Sequence, residues 1–285
     1  MHSFRSITII GLGLIGGSLA ARCRKKFPRA KIIGITRNTR ALDVAKKRGW
    51  IHQGYKNLKV PGTIVPGTFC ILCTPVDTLK DFLKQLDRVA PPGTVVTDAG
   101  SVKGFLVRWA DRQKWRRIQF VGAHPMAGSH EQGIGAARTD LFDRALTFVT
   151  PGKRPSKFAL KTVAEFWRKI CAKVLVVSPE VHDRLTAEIS HVPHLLASLL
   201  VENVSPKSLG VAASGFLDTT RVAKSDPGLW TPILLENRKE IGRVLKNFEK
   251  NLQQVKKFLK GRNPGPLKSL LGQAQRRRLA LEKGT

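Results

Sequence analysis

Two stretches of the chain carry residue types whose spacing could do chemistry. The first is Gly11-Leu12-Gly13-Leu14-Ile15-Gly16, which follows the apolar run Ile7 to Ile10 and opens a segment of helical period. A strand, a G-x-G-x-x-G turn and a helix in that order make a pyrophosphate site. Gly11 allows the tight turn, Gly13 keeps a Cβ out of the path of the phosphates, and Gly16 lets the helix pack closely on the strand. Free N–H groups and the positive dipole end of the helix then hold the anion. Without strand and helix, the same residues would be an ordinary glycine turn. The second stretch is Ala123-His124-Pro125-Met126-Ala127-Gly128, after the run Gln119 to Gly122. A hydride leaving a carbinol carbon needs a group that takes the hydroxyl proton, and an imidazole titrating near neutrality suits that task. His124 sits in what reads as a Gly/Pro-rich loop facing the cleft. Ser101 can orient it or bond the substrate hydroxyl, its plainer role being the N-cap of a helix from Val102.

The choice of dinucleotide is written at the second strand, which ends in Gly34-Ile35-Thr36-Arg37. An acid there would bind the ribose 2′-OH of NAD. No acid occurs between the turn and Asp43, while Thr36 offers a hydroxyl and Arg37 and Arg40 offer guanidinium forks suited to a 2′-phosphate. NADP is favoured, with NAD as the alternative; the plainer reading counts these arginines among the many basic residues of the surface. Thr74-Pro75 and Asp98-Ala99-Gly100-Ser101-Val102-Lys103 also follow predicted strands, so all of these can line one crevice beyond the carboxyl ends of a parallel sheet.

Such a crevice needs a particular frame. Strands are predicted at Ile7 to Ile10, Lys31 to Ile35, Thr68 to Cys73, Gly93 to Asp98, Gln119 to Gly122 and Thr147 to Val149, with amphipathic segments such as Ala41 to Arg48 and Val76 to Val89 between them. That alternation predicts an α/β Rossmann-type, doubly wound, mostly parallel sheet over residues 1–150. Thr150-Pro151-Gly152 is the expected boundary. Residues 151–285 read as mainly helical, with apolar residues three and four apart over Phe158 to Cys171, Pro179 to Val201 and Ile233 to Leu259, one short strand at Val174 to Val177, and a loose basic tail from about 262.

Composition narrows the class. The 285 residues include 42% hydrophobic types, ample for a folded core, and no apolar run is long enough to span a bilayer. The net charge of +30 invites a nucleic-acid reading, yet the basic residues divide evenly about Thr150 instead of gathering in an arm. A basic surface that attracts small anions is the expectation. Four cysteines are too few for a disulfide framework, which points to a reducing compartment, the cytoplasm. Cys70 and Cys73 lie on one predicted strand facing opposite sides, so neither metal nor redox chemistry is expected of them. The glycines within Ile7 to Ala21 argue against a signal peptide.

Taken together, Gly11-Leu12-Gly13-Leu14-Ile15-Gly16-Gly17-Ser18, Thr97-Asp98-Ala99-Gly100-Ser101-Val102-Lys103, His124-Pro125-Met126-Ala127-Gly128-Ser129, Ser190-His191-Val192-Pro193-His194 and Gly215-Phe216-Leu217-Asp218-Thr219-Thr220-Arg221-Val222-Ala223 resemble the prephenate and arogenate dehydrogenases of tyrosine biosynthesis. The resemblance covers nearly the whole chain. It implies oxidative decarboxylation of prephenate to 4-hydroxyphenylpyruvate, with L-arogenate to L-tyrosine as the alternative. It also implies a homodimer formed through a helical substrate and dimerisation domain. By resemblance His124 accepts the hydroxyl proton, Ser101 positions it, Arg221 binds the ring carboxylate, and His191 and His194 close the pocket, with Trp230 either beside it or packing helices. Many members place an acid two residues after the glycine of His-Pro-Met-Ala-Gly. Here His130 stands there with Glu131 next, leaving open which residue meets the substrate's side chain. The Thr36-Arg37 pair resembles the NADP-using, partly arogenate-specific branch, whereas the His191 and His194 pair resembles prephenate users. A monofunctional enzyme without a fused mutase or tyrosine-sensing module is expected. A zinc site on His191 and His194 lacks a convincing third ligand, since His182 and Glu188 are merely near in sequence, so no metal is expected. The rival classes are another two-domain NADP reductase, which would not predict His124 together with Arg221, and a basic nucleic-acid binder on a Rossmann-like scaffold.

Overall fold

The computed structural model describes residues 4–60, 62–128, 131–262 and 264–283. Two compact units result, the first ending at Arg238 and the second beginning at Lys239. In the first, apolar β-branched runs form β1 (Ser6–Ile10), β2 (Lys31–Ile35), β3 (Gln53–Tyr55), β4 (Thr68–Leu72), β5 (Thr94–Asp98), β6 (Ile118–Pro125), β7 (Leu146–Thr150) and β8 (Lys173–Val176). Among the described residues these make one sheet in the order β3-β2-β1-β4-β5-β6-β7-β8. Neighbours from β3 to β6 run parallel, β7 lies antiparallel to β6, and β8 pairs with β7 in parallel. The doubly wound, mostly parallel sheet is therefore as read from the sequence.

The connecting helices are α1 (Leu14–Lys26), α2 (Thr39–Lys47), α3 (Leu79–Val89), α4 (Gly104–Asp111) and α5 (Lys157–Ile170). Alternate strand residues feed two cores. Ile7, Ile9, Phe69 and Val121 pack with α1, α2 and α5, whereas Ile10, Leu72, Val96 and Phe120 pack with α3 and α4. Period-two alternation thus becomes helices on both faces. Cys70 and Cys73 do face opposite cores. Because the crossover after β3 enters beside β1, strand order reverses between β1 and β4, and their carboxyl ends open the crevice where ligands of such sheets bind.

The rest of the first unit is helical: α6 (Pro179–Thr186), a π-helical turn (Ala187–His191), α7 (Val192–Glu202), α8 (Pro206–Leu209), α9 (Ser214–Thr220), a 3₁₀ turn (Arg221–Lys224) and α10 (Pro227–Glu236). The second unit is built from α11 (Arg238–Lys260) and α12 (Pro264–Lys283). Three expectations are corrected. β6 runs on to Pro125, so His124 is a strand residue and not a loop residue, held there by pairing with Phe148 of β7. The helix expected from Ile233 to Leu259 is two helices separated at Asn237, whose side chain is spent on tertiary hydrogen bonds. The tail expected to be loose is α12, a run of good helix formers behind an N-terminal proline. The short β3 was not foreseen.

Candidate active site

The glycine turn sits at the carboxyl end of β1. Gly11 has φ +94°, and a Cβ there would come within 2.6 Å of the Cys73 carbonyl oxygen. A Cβ on Gly16 would lie 1.8 Å from the Gly11 oxygen, so α1 can approach the strand only through glycine. Gly13 is different, for among the described residues nothing beyond its chain neighbours lies within 4 Å of its Cβ position. It caps the N-terminus of α1 with no side-chain hydrogen bond, leaving open space before free backbone donors, and this cradle fits a pyrophosphate. Leu12 is buried and Ile15 half-buried behind it. Thr36 is half-buried at the end of β2, and Arg37 and Arg40 are exposed there, with no acid between them. Beyond β4, the Thr78 hydroxyl donates to Thr74 Oγ1 at 2.8 Å and Pro75 is exposed, so this pair borders the same crevice.

Beyond β5 lies a polar cluster that sequence reasoning only partly found. Asp98 is buried, accepting from Gly100 N at 2.9 Å and Ala123 N at 3.0 Å, and its carboxylate pairs with the fully buried Lys103 ammonium. Burial pulls the Lys103 amine below its ordinary value against the pull of Asp98. The pair locks the turn carrying Ser101 to the strand carrying His124. Ser101, half-buried, is not a helix cap: α4 begins at Gly104. Its N-terminus is capped by Asp183, which accepts from Lys103 N at 2.9 Å and Gly104 N at 2.8 Å.

His124 is buried on β6 with Nδ1 2.9 Å from Nε2 of His182, whose Nδ1 is 2.8 Å from Asp183 Oδ1. Burial, then the charges of His182, Lys103 and His191, holds the His124 pKa well below the histidine norm. Burial also lowers His182, against the opposing pull of Asp183. Burial pushes the Asp183 carboxyl up, but its bonds to His182 and to the N–H groups of Lys103 and Gly104 outweigh this and leave it lowered. Phe148 meets the His182 ring edge-on, with centroids 5.2 Å apart.

The π-helical turn brings the other histidines in. It widens the helix just before Pro193, whose missing N–H would otherwise interrupt a regular ladder. His191 is buried, with Nδ1 3.0 Å from Asn237 Nδ2, an amide nitrogen that also donates to the Asp183 carbonyl at 2.8 Å. His194 stacks on Trp230 at a centroid distance of 3.6 Å, and His191 meets the same indole edge-on. Buried His191 Nε2 and His194 Nδ1 have no hydrogen-bond partner among the described residues. Trp230 and Ile233 of α10 pack on Val76 and Val102, which ties the helical layer to the rim of the crevice. Arg221 is exposed on the 3₁₀ turn that packs against α7 and makes no ion pair among the described residues. His130 lies outside the described residues. Thus the structure gathers His124, His191, His194 and Trp230 and adds His182, Asp183 and Asn237. The sequence signal for the additions was faint: a His-Asp pair behind a Ser-Pro helix start.

Comparison with known proteins finds relatives over most of the chain. Residues 19–176 match the family model described as prephenate dehydrogenase, nucleotide-binding domain, and residues 178–273 match prephenate dehydrogenase, dimerization domain. The chain is 37% identical over 263 residues to the prephenate dehydrogenase of Bacillus subtilis, covering 89% of this chain and 69% of that one. The structure of prephenate dehydrogenase from A. aeolicus in complex with hydroxyphenyl propionate and NAD+ superposes with TM-score 0.90 at 32% identity, covering 98% of this chain and 99% of that one. Synechocystis arogenate dehydrogenase gives TM-score 0.80 at 27% identity, with 96% and 98% covered. With the two family models together matching residues 19–176 and 178–273, and a relative 37% identical over 89% of this sequence, the chain belongs to the prephenate dehydrogenase family.

Proposed function

We propose that the chain is an NADP-dependent prephenate dehydrogenase that oxidises and decarboxylates prephenate to 4-hydroxyphenylpyruvate. One observation carries the reading: a buried histidine stands at the carboxyl end of β6 in the crevice that begins at the phosphate turn of β1. Three strand spacings, about 14 Å, separate the two, a span suited to an extended dinucleotide. The residues Gly11, Leu12, Gly13, Leu14, Ile15 and Gly16 would hold the pyrophosphate, Thr36, Arg37 and Arg40 the 2′-phosphate, and Thr74, Pro75 and Ser101 the approach to the nicotinamide. When bound, the nicotinamide supplies the acceptor for hydride.

The chain's own residues do the rest. His124 takes the hydroxyl proton as hydride leaves the ring carbon, its low pKa keeping it neutral and able to accept. Ser101 orients the hydroxyl. Arg221 engages the ring carboxylate with paired donors until carbon dioxide departs and its electron pair enters the ring. The proton then returns to the phenolic oxygen. His191 and His194, whose buried nitrogens beside Trp230 have no partner among the described residues, would meet the remaining polar groups of the substrate, and His130, outside the described residues, is proposed to bind substrate as well. Residues 1–150 would serve the cofactor, and 151–285 the substrate and the dimer contact. Exposed Leu199, Leu200, Leu217 and Leu235 suit burial against a second copy. Four free cysteines suit the cytoplasm.

The test is nicotinamide reduction by the purified protein with prephenate and with L-arogenate, each with NADP and with NAD. Turnover of prephenate with NADP is expected to exceed the other combinations. Preference for arogenate would replace the substrate, preference for NAD would replace the cofactor, and silence throughout would overturn the reading.

A further inference from the structure

We infer that His182 and Asp183 are positioning residues for His124: they hold it in the tautomer that carries hydrogen on Nδ1, leave Nε2 as the base, and share the proton it gains. The inference rests on the reaction proposed above. The directions of the hydrogen bonds follow from one end of the chain. Asp183 takes both N–H groups of the α4 N-terminus, Lys103 N at 2.9 Å and Gly104 N at 2.8 Å, which fixes it as an ionised acceptor. His182 Nδ1, 2.8 Å from Asp183 Oδ1, therefore donates, so the neutral ring has its lone pair on Nε2. That lone pair accepts from His124 Nδ1 at 2.9 Å, and the one nitrogen of His124 left to accept is Nε2.

The same geometry gives the proton a second place to rest. When His124 Nε2 takes the hydroxyl proton, the Nδ1 proton can pass to His182 Nε2. This leaves His124 neutral and the imidazolium on His182, where it faces the Asp183 carboxylate. When loss of carbon dioxide aromatises the ring, the transfer reverses and the proton returns to the phenolic oxygen, so each turnover leaves both histidines as they began. Asp183 also holds the frame still. Its carboxylate fixes the turn that follows Ser101, and its carbonyl accepts from Asn237 at 2.8 Å, whose amide reaches His191. His191 Nδ1 accepts there, so its buried Nε2 is a donor, the polarity that a substrate carboxylate or carbonyl requires.

The experiment uses the full chain labelled with ¹⁵N-histidine, first without ligands. The nitrogen spectrum of wild type is expected to show His124, assigned by its loss in His124→Asn, with Nδ1 protonated and Nε2 bare. His182→Gln keeps an acceptor for that proton but cannot itself be protonated, whereas His182→Leu removes the acceptor. The expected spectra keep the tautomer in the first variant and lose it in the second. Turnover should fall about tenfold in His182→Gln and about a hundredfold or more in His182→Leu, with KM changed far less. A wild-type His124 protonated on Nε2, or near-normal turnover in His182→Leu, overturns the inference. Wild type inactive on every substrate would sink the proposed function instead and leave the tautomer to be judged from the spectra alone. Should His182→Leu not fold, the wild-type and His182→Gln spectra decide it.

Discussion

His124, His182, His191 and His194 are buried before they are anything else, and that has a consequence for stability. Burial, then the charge of His182, lowers His191 to about 4. In the unfolded chain it titrates near 6.5. Between those values the unfolded state binds more protons than the folded one, so stability is fully present above about pH 6.5 and is lost as pH falls toward 4. His191 alone contributes on the order of 3 kcal/mol to that slope, and His124 and His182, also lowered, act in the same direction. Urea unfolding at pH 5 should give a smaller free energy than at pH 7.5, and His191→Leu should flatten the difference; an unchanged slope in that variant would refute the assignment. These residues also show where the sequence was legible. His124 announced itself by type and by position after a strand, and His191 and His194 through the resemblance of their motif. Partners did not, because His124 meets His182 across 58 positions, Lys103 meets Asp183 across 80, and His191 meets Asn237 across 46. Only the folded sheet determines such pairs.

Elements were legible in proportion to their apolar periodicity. Apart from β6, the strands that fill the two cores could be read to within a residue, whereas β3 has no apolar run to show, and α12 is patterned by helix propensity more than by a repeating stripe. β6 runs past its apolar residues because β7 supplies the hydrogen bonds that keep Ala123 to Pro125 extended. The turn between β1 and α1 permits a sharper test than its motif does. Gly16→Ala would force a Cβ to 1.8 Å from a backbone oxygen, while Gly13→Ala meets nothing among the described residues beyond its chain neighbours. The first variant should unfold several degrees earlier in a thermal melt. The second should melt within a degree or two of wild type yet bind NADP at least tenfold more weakly in a fluorescence titration. Equal binding by Gly13→Ala and wild type would remove the phosphates from that turn.

At the scale of the molecule, the chain carries a net charge of +30 and its proposed ligands are anions. Residues 239–285 alone carry thirteen Lys and Arg against three acids. Such a field speeds encounter more than it strengthens contact, and the screening length shrinks from about 30 Å at 0.01 M salt to about 8 Å at 0.15 M. Raising salt across that range should lower kcat/KM several-fold while leaving kcat unchanged; a flat kcat/KM would show the charge has no part in substrate capture. Finally, the carboxylate on α6 that caps α4 bears on how this fold can be cut and recombined. A fragment ending at the last residue of the sheet layer would leave two buried N–H groups without an acceptor and His124 without its neighbour. A chimera that joined the sheet of one relative to the helices of another would have to carry the 100–104 turn and the 178–183 helix start as a matched set, since the two behave as one part delivered by distant stretches of chain.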